Sequence, residues 1–154
     1  LVYIPVNEIP FFYDKTRNVE DSKSFWNIGY DAAAGWPVEY PAGTLDAVRD
    51  LDGGSLLAWD PVKAEPRWAV PFALPLNGGV LSTQAGLVFQ GNKFGEFVAY
   101  DAETGERLWA DKLVGNAAAA PMTYEIDGEQ YLSVLSGWGS ASNLIASWLT
   151  CIFS

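Results

Sequence analysis

Acid–base chemistry in this chain falls to carboxylates, because its 154 residues include no histidine. That absence removes the commonest general base, imidazole metal ligands, a Ser-His-Asp triad and the Cys-x-x-Cys-His attachment of c-type haem. Nineteen Asp and Glu stand against nine Lys and Arg, a net charge of −10. Such a surface argues against nucleic acid as a partner, since phosphate binding rests on clustered basic residues. Among the carboxylates, Asp60 and Asp101 stand out by position, each closing an apolar run that ends in an aromatic residue. A catalytic base must come within hydrogen-bond reach of the proton it takes. An Asp that opens a turn instead accepts the backbone N–H two residues on. Asp60-Pro61 and Asp101-Ala102-Glu103-Thr104-Gly105 have turn composition, so both aspartates are assigned to structure. The one cysteine, Cys151, has no internal disulfide partner and reads as an apolar residue.

The two aspartates belong to a repeat. Gly54-Ser55-Leu56-Leu57-Ala58-Trp59-Asp60, closed by Trp68, returns 41 residues later as Gly95-Glu96-Phe97-Val98-Ala99-Tyr100-Asp101, closed by Trp109. A period near 40 falls in the range of β-propeller blades. Each copy reads as a strand, a turn and a second strand, and Trp68 and Trp109 are large enough to fill the wedge between neighbouring blades. One blade cannot bury both faces of its sheet, so blades must stack into a ring. A chain of this length holds roughly three to four units of about 40 residues, whereas rings usually have four to eight. The expectation is therefore all-β, a partial propeller of four-stranded antiparallel blades. Leu1 in place of an initiating Met fits a piece of a larger chain.

Around the repeat, Leu1 to Val6 has strand character. Residues from about 14 to 51 read as one long loop, with mixed Ala, Gly, Pro and acidic residues and no clear period. Val80 to Gly91 predicts a hairpin turning at Gln84-Ala85-Gly86. Ala117 to Tyr124 and Gln130 to Leu135 predict another, across Asp127-Gly128, a strong hairpin signal. One domain is expected over 1–140, followed by a tail, 141–154, of undefined structure. The uncharged stretch from Leu132 is long enough to span a bilayer, but its serines and glycines break it up, and no membrane helix is expected. With hydrophobic residues at 49%, disorder is not expected either.

Several motifs in order carry a resemblance to a known family. They are Leu76-Asn77-Gly78-Gly79-Val80-Leu81-Ser82-Thr83, Gly86-Leu87-Val88-Phe89-Gln90-Gly91, the run from Ala99 through Gly105 to Trp109, Ala119-Ala120-Pro121-Met122-Thr123-Tyr124, and Gly137-Trp138-Gly139. Near the start, Leu1-Val2-Tyr3-Ile4-Pro5 and Phe25-Trp26-Asn27-Ile28-Gly29 fit as well. Over nearly all of residues 1 to 140 the chain resembles the pyrroloquinoline-quinone (PQQ)-dependent alcohol dehydrogenases, the quinoproteins and quinohaemoproteins.

The resemblance implies the last blades of an eight-bladed quinoprotein propeller that binds the quinone on its axis beside a calcium ion. It implies a periplasmic enzyme that oxidises an alcohol to an aldehyde and passes electrons to a haem or another acceptor. It also implies that the remaining propeller blades of the parent chain are the partner of these residues, which would be inactive alone. Carried over by motif, Asn77 and Gly78 match the loop that reaches the quinone, where a side-chain amide can donate to a carbonyl oxygen. Trp138 matches the tryptophan near the cofactor pocket. Other readings stay open: Asn77-Gly78 as a plain type I′ turn, and Trp138 as a blade-packing residue. The family's catalytic aspartate and its calcium ligands match nothing here, so no catalytic or metal-binding residue is assigned. Leu76 stands where the family usually has Trp, and Ser140 departs from its Gly-Trp-Gly-Gly. The alternative functions are a non-catalytic propeller scaffold of the outer-membrane assembly type and a short propeller closed by self-assembly.

Overall fold

The computed structural model describes residues 1–9 and 53–137. They form nine strands: β1 (Val2–Asn7), β2 (Gly54–Asp60), β3 (Glu65–Phe72), β4 (Val80–Ser82), β5 (Leu87–Gly91), β6 (Glu96–Asp101), β7 (Arg107–Lys112), β8 (Met122–Ile126) and β9 (Glu129–Ser133). No helix occurs among the described residues. The strands make three antiparallel sheets in the orders β1-β2-β3, β4-β5-β6-β7 and β8-β9. The middle sheet is a complete four-stranded blade, so the expected all-β partial propeller is what the chain forms.

The sequence repeat is a structural repeat down to its irregularities. Ala58 lies between Tyr3 and Trp68 on the neighbouring strands, and Ala99 lies between Phe89 and Trp109. A small residue in the centre strand leaves room for an aromatic on each side. Just after each alanine the register slips by one residue, between Ala58 and Trp59 and again between Ala99 and Tyr100. Such a bulge sharpens local twist, and both blades place it at the same step. Strands β1, β2 and β3 thus correspond to β5, β6 and β7. The link from β5 to β6 is the short Asn92–Gly95 turn; the stretch between β1 and β2 where a long loop is expected, at about 14–51, lies outside the described residues. The 141–154 tail and Trp138 lie outside them too.

The first and second sheets pack face to face. Leu56 from the first and Val88, Val98, Tyr100 and Ala102 from the second form the buried cluster, with Tyr3, Trp68, Val70, Phe72, Val80 and Ala110 against it. Leu56 and Val88 are fully buried, each stabilising the stack by about 1.5–3 kcal/mol. Alternate residues of β2 are buried, as in a sheet with one covered face. In β6, by contrast, Phe97, Val98, Ala99 and Tyr100 are all buried. One side faces the first sheet; on the other, Phe97 stacks on Phe89 and meets Trp109 edge-on.

Trp68 closes the seam between the two blades. Its Nε1–H donates to the Ala102 carbonyl at 3.1 Å, and the Tyr3 hydroxyl donates to the same oxygen at 2.9 Å. Gly105, at φ 74°, lies under the indole: a Cβ there would sit 2.7 Å from Trp68 Cε3.

The predicted hairpins form with one shift. Gly86 has φ 80° in the β4–β5 turn, and Asp127 and Gly128, at φ 52° and 82°, make the β8–β9 turn. Strand β8, expected from Ala117, begins only at Met122. The alanines before it are used in close packing: Ala117 lies against Gly78 and Gly91, and Ala120 against Gly79.

Candidate functional site

Between β3 and β4 the chain runs through Ala73-Leu74-Pro75-Leu76-Asn77-Gly78-Gly79, a loop tied down at Leu74, Leu76, Asn77 and Gly78. Leu76 takes the left-handed conformation, φ 66°, at a strain of about 1–3 kcal/mol for a residue with a branched side chain. Its N–H donates to Asn7 Oδ1 at 2.6 Å, anchoring the loop to the end of β1. Neither Asn77 nor Gly78 has a positive φ, so the pair is not a type I′ turn, which needs positive φ at both central residues.

Asn77 braces the loop with both ends of its amide. Nδ2 donates to the Leu74 carbonyl at 2.8 Å, and Oδ1 accepts the Lys93 N–H at 3.3 Å. A primary amide carries two N–H donors, and the second has no protein partner among the described residues. Gly78 is held on both sides: its N–H donates to the Gly91 carbonyl at 2.8 Å, and its carbonyl accepts Gln90 Nε2–H at 2.8 Å. A Cβ on Gly78 would strike the Ala117 carbonyl, so only glycine fits. Three separate parts of the chain meet here: the end of β1, the end of β5 and the segment before β8.

Burial holds the nearby Lys93 amine below its ordinary value. Trp138 lies outside the described residues. The residue before it, Gly137, donates its N–H to the Asn116 carbonyl at 2.9 Å, one position before Ala117.

The repeated aspartates serve their own turns. Asp60 Oδ1 accepts the Val62 and Lys63 N–H groups. Asp101 Oδ1 accepts the N–H groups of Glu103 and Thr104 and the Thr104 hydroxyl. These bonds hold both carboxyls below their ordinary range, with the Lys63 and Thr104 N–H groups the largest contributors. Sequence reasoning missed Gln90 and Lys93. The available signal for Gln90 was a lone polar residue in the apolar run Leu87-Val88-Phe89-Gln90-Gly91.

Residues 44–132 match the family profile described as PQQ: glucose/ethanol/alcohol dehydrogenase, beta-propeller domain. The chain is 39% identical over 153 residues to the quinohemoprotein alcohol dehydrogenase ADH-IIG of Pseudomonas putida, covering 97% of this chain and 21% of that protein. It is 42% identical over 145 residues to the quinohemoprotein alcohol dehydrogenase ADH IIB of the same species, covering 94% and 20%. The solved structure of ADHIIG from Pseudomonas putida HK5 superposes with a TM-score of 0.58 at 46% identity, over 62% of this chain and 14% of that one. The chain thus spans about a fifth of the length of the curated relatives it matches.

Proposed function

The chain belongs to the PQQ-dependent glucose/ethanol/alcohol dehydrogenase β-propeller family, and we propose that it forms part of an enzyme oxidising an alcohol to an aldehyde, with Asn77 and Gly78 bordering the quinone. The observation that carries this reading is the braced loop whose Asn77 amide has one N–H without a protein partner among the described residues. A quinone is a planar group edged with carbonyl oxygens, and a fixed amide donor suits such an edge. Gly78 lets the loop pack against the Ala117 carbonyl and so holds Asn77 beside it, and it is the Asn77 amide that fits the cofactor.

When bound, PQQ supplies the two-electron acceptor that alcohol oxidation requires. The contribution of this chain is binding and orientation. Asn77 Nδ2–H would donate to a quinone carbonyl, while its bonds to Leu74 and Lys93 keep the amide from rotating. Preorganisation of this kind leaves less side-chain freedom to be lost on binding. Leu76 offers an apolar wall in place of the family's usual Trp, and Trp138 would supply a flat apolar surface.

Among the described residues, no group of three or more His, Cys, Asp and Glu side chains is placed to hold a metal ion. A calcium ion beside the quinone would draw its carboxylate ligands from outside them. The reading includes the remaining propeller blades as structural partners, a haem or other electron acceptor, and a periplasmic location. No helix among the described residues is long and apolar enough to cross a membrane. The relatives reported above are dehydrogenases by name, which supports this reading over the scaffold alternative.

The test is to express the chain with its natural flanking sequence, strip cofactor, and add PQQ with calcium before assaying alcohols with an artificial electron acceptor. Quinone-dependent oxidation is expected from the long chain and none from the 154 residues alone. A long chain with no such activity on primary or secondary alcohols contradicts the proposal.

A further inference from the structure

We propose that Gln90 is a positioning residue for the quinone pocket, fixing the Gly78 peptide on which the orientation of Asn77 depends; the inference rests on the function proposed above. Gln90 lies on β5, opposite Val80 and Val98, and two residues from Val88. It therefore shares the apolar face that packs on the first sheet. Its side chain is 1% exposed.

The side chain is poorly suited to that place on grounds of stability. Nε2 donates to the Gly78 carbonyl at 2.8 Å, but Oε1 is buried with no hydrogen-bond partner among the described residues. A buried acceptor left unsatisfied is destabilising, and an apolar side chain of the same length would exchange it for an unsatisfied Gly78 carbonyl, so the glutamine gains no net stability over such a residue. What the glutamine gains is control of one peptide plane. The Gly78 N–H is fixed by the Gly91 carbonyl, which sets the plane following Asn77. The Gly78 carbonyl lies on the next plane, and Gln90 fixes that one. Two consecutive planes beside Asn77 are thus held from the same strand, while Ala117 blocks the loop from the other side. Without the Gln90 bond, the second plane loses the hydrogen bond that sets its orientation.

The experiment compares wild type, Gln90→Met and Gln90→Asn in the full-length chain. Quinone affinity is measured by equilibrium titration of the cofactor-free protein with PQQ, and the melting temperature is measured without cofactor. Gln90→Met keeps length and burial but has no donor; Gln90→Asn keeps the amide but is one methylene too short to reach. Both should bind PQQ about tenfold more weakly. The Gln90→Met protein exchanges an unpaired Oε1 for an unpaired Gly78 carbonyl and should melt close to wild type, a separation that a purely structural role does not produce. Unchanged affinity in both variants overturns the proposal. So does a Gln90→Met protein that fails to fold or loses melting temperature in step with affinity, because Gln90 would then serve the fold itself. If wild type binds no PQQ, the function proposed above fails first, and the role of Gln90 falls with it.

Discussion

The indole N–H of Trp68 on one blade donates to the Ala102 carbonyl on the next, at 3.1 Å, and the Tyr3 hydroxyl shares that oxygen. One backbone acceptor in the second blade's outer turn thus receives two side chains from the first. The bond works because Asp101 folds that turn so that the Ala102 carbonyl faces the neighbouring sheet, while Gly105 leaves the space the indole covers.

Trp68→Phe and Tyr3→Phe each remove one donor and keep a ring, so each should destabilise the propeller by about 1 kcal/mol. Because either donor alone keeps the Ala102 carbonyl satisfied, the double variant should lose more than the sum of the two. Denaturant unfolding of the four proteins in a double-mutant cycle measures this. Strict additivity would mean that the bonds act independently.

Gly105→Ala combines two faults: a side chain at φ 74° and a Cβ 2.7 Å from Trp68 Cε3. A loss of about 1–3 kcal/mol is expected. Gly86→Ala is the control, since it shares a positive φ but meets nothing within 4 Å. It should cost less in the same denaturation experiment.

Acid should loosen the blade turns. Hydrogen bonds from Thr104 and Glu103 hold the Asp101 carboxyl below its unfolded value, so its stabilising contribution is present at neutral pH. That contribution is lost as pH falls below about 4 and through the depressed folded value. Asp101→Asn keeps an oxygen acceptor but cannot titrate. Its melting temperature should be lower than wild type at pH 7 and should fall less steeply in acid. Parallel curves for the two proteins would show that Asp101 contributes nothing to the pH dependence.

Gly78→Ala should disrupt the loop directly, because the added methyl meets the Ala117 carbonyl. Overpacking of this kind costs about 1–3 kcal/mol. In the full-length protein it should weaken PQQ binding as well as lower the melting temperature. A variant with wild-type values for both would show that the loop can move aside without consequence.

The repeat made much of this fold legible in the sequence. Ala58 and Ala99, with Trp68 and Trp109 at matching distances, predicted equivalent strands, and the structure repeats even their bulges. Turn chemistry at Asp60, Asp101 and Asp127-Gly128 was legible because Asp and Gly act locally. The docking of Trp68 was only half legible: the ring was evident, but its acceptor is a backbone carbonyl, and every residue has one. Ala117 to Pro121 looked like strand because close packing against glycines leaves the same small, apolar composition. At the site, the family motif pointed to Asn77 and Gly78. Leu74, Lys93 and Gly91 brace them through backbone groups, which every residue has, and Gln90 does so through a side chain whose partner depends on the fold.

The central claim is that Asn77 presents an amide donor to the quinone, and Asn77→Asp tests it most directly. Aspartate has nearly the same shape and can still accept the Lys93 N–H, but it has no N–H to offer. In the full-length chain, titration of the cofactor-free protein with PQQ should show affinity lower by about tenfold or more, with alcohol oxidation reduced at subsaturating quinone. Wild-type affinity in this variant would contradict the account and leave the Asn77 loop a structural feature of the blade.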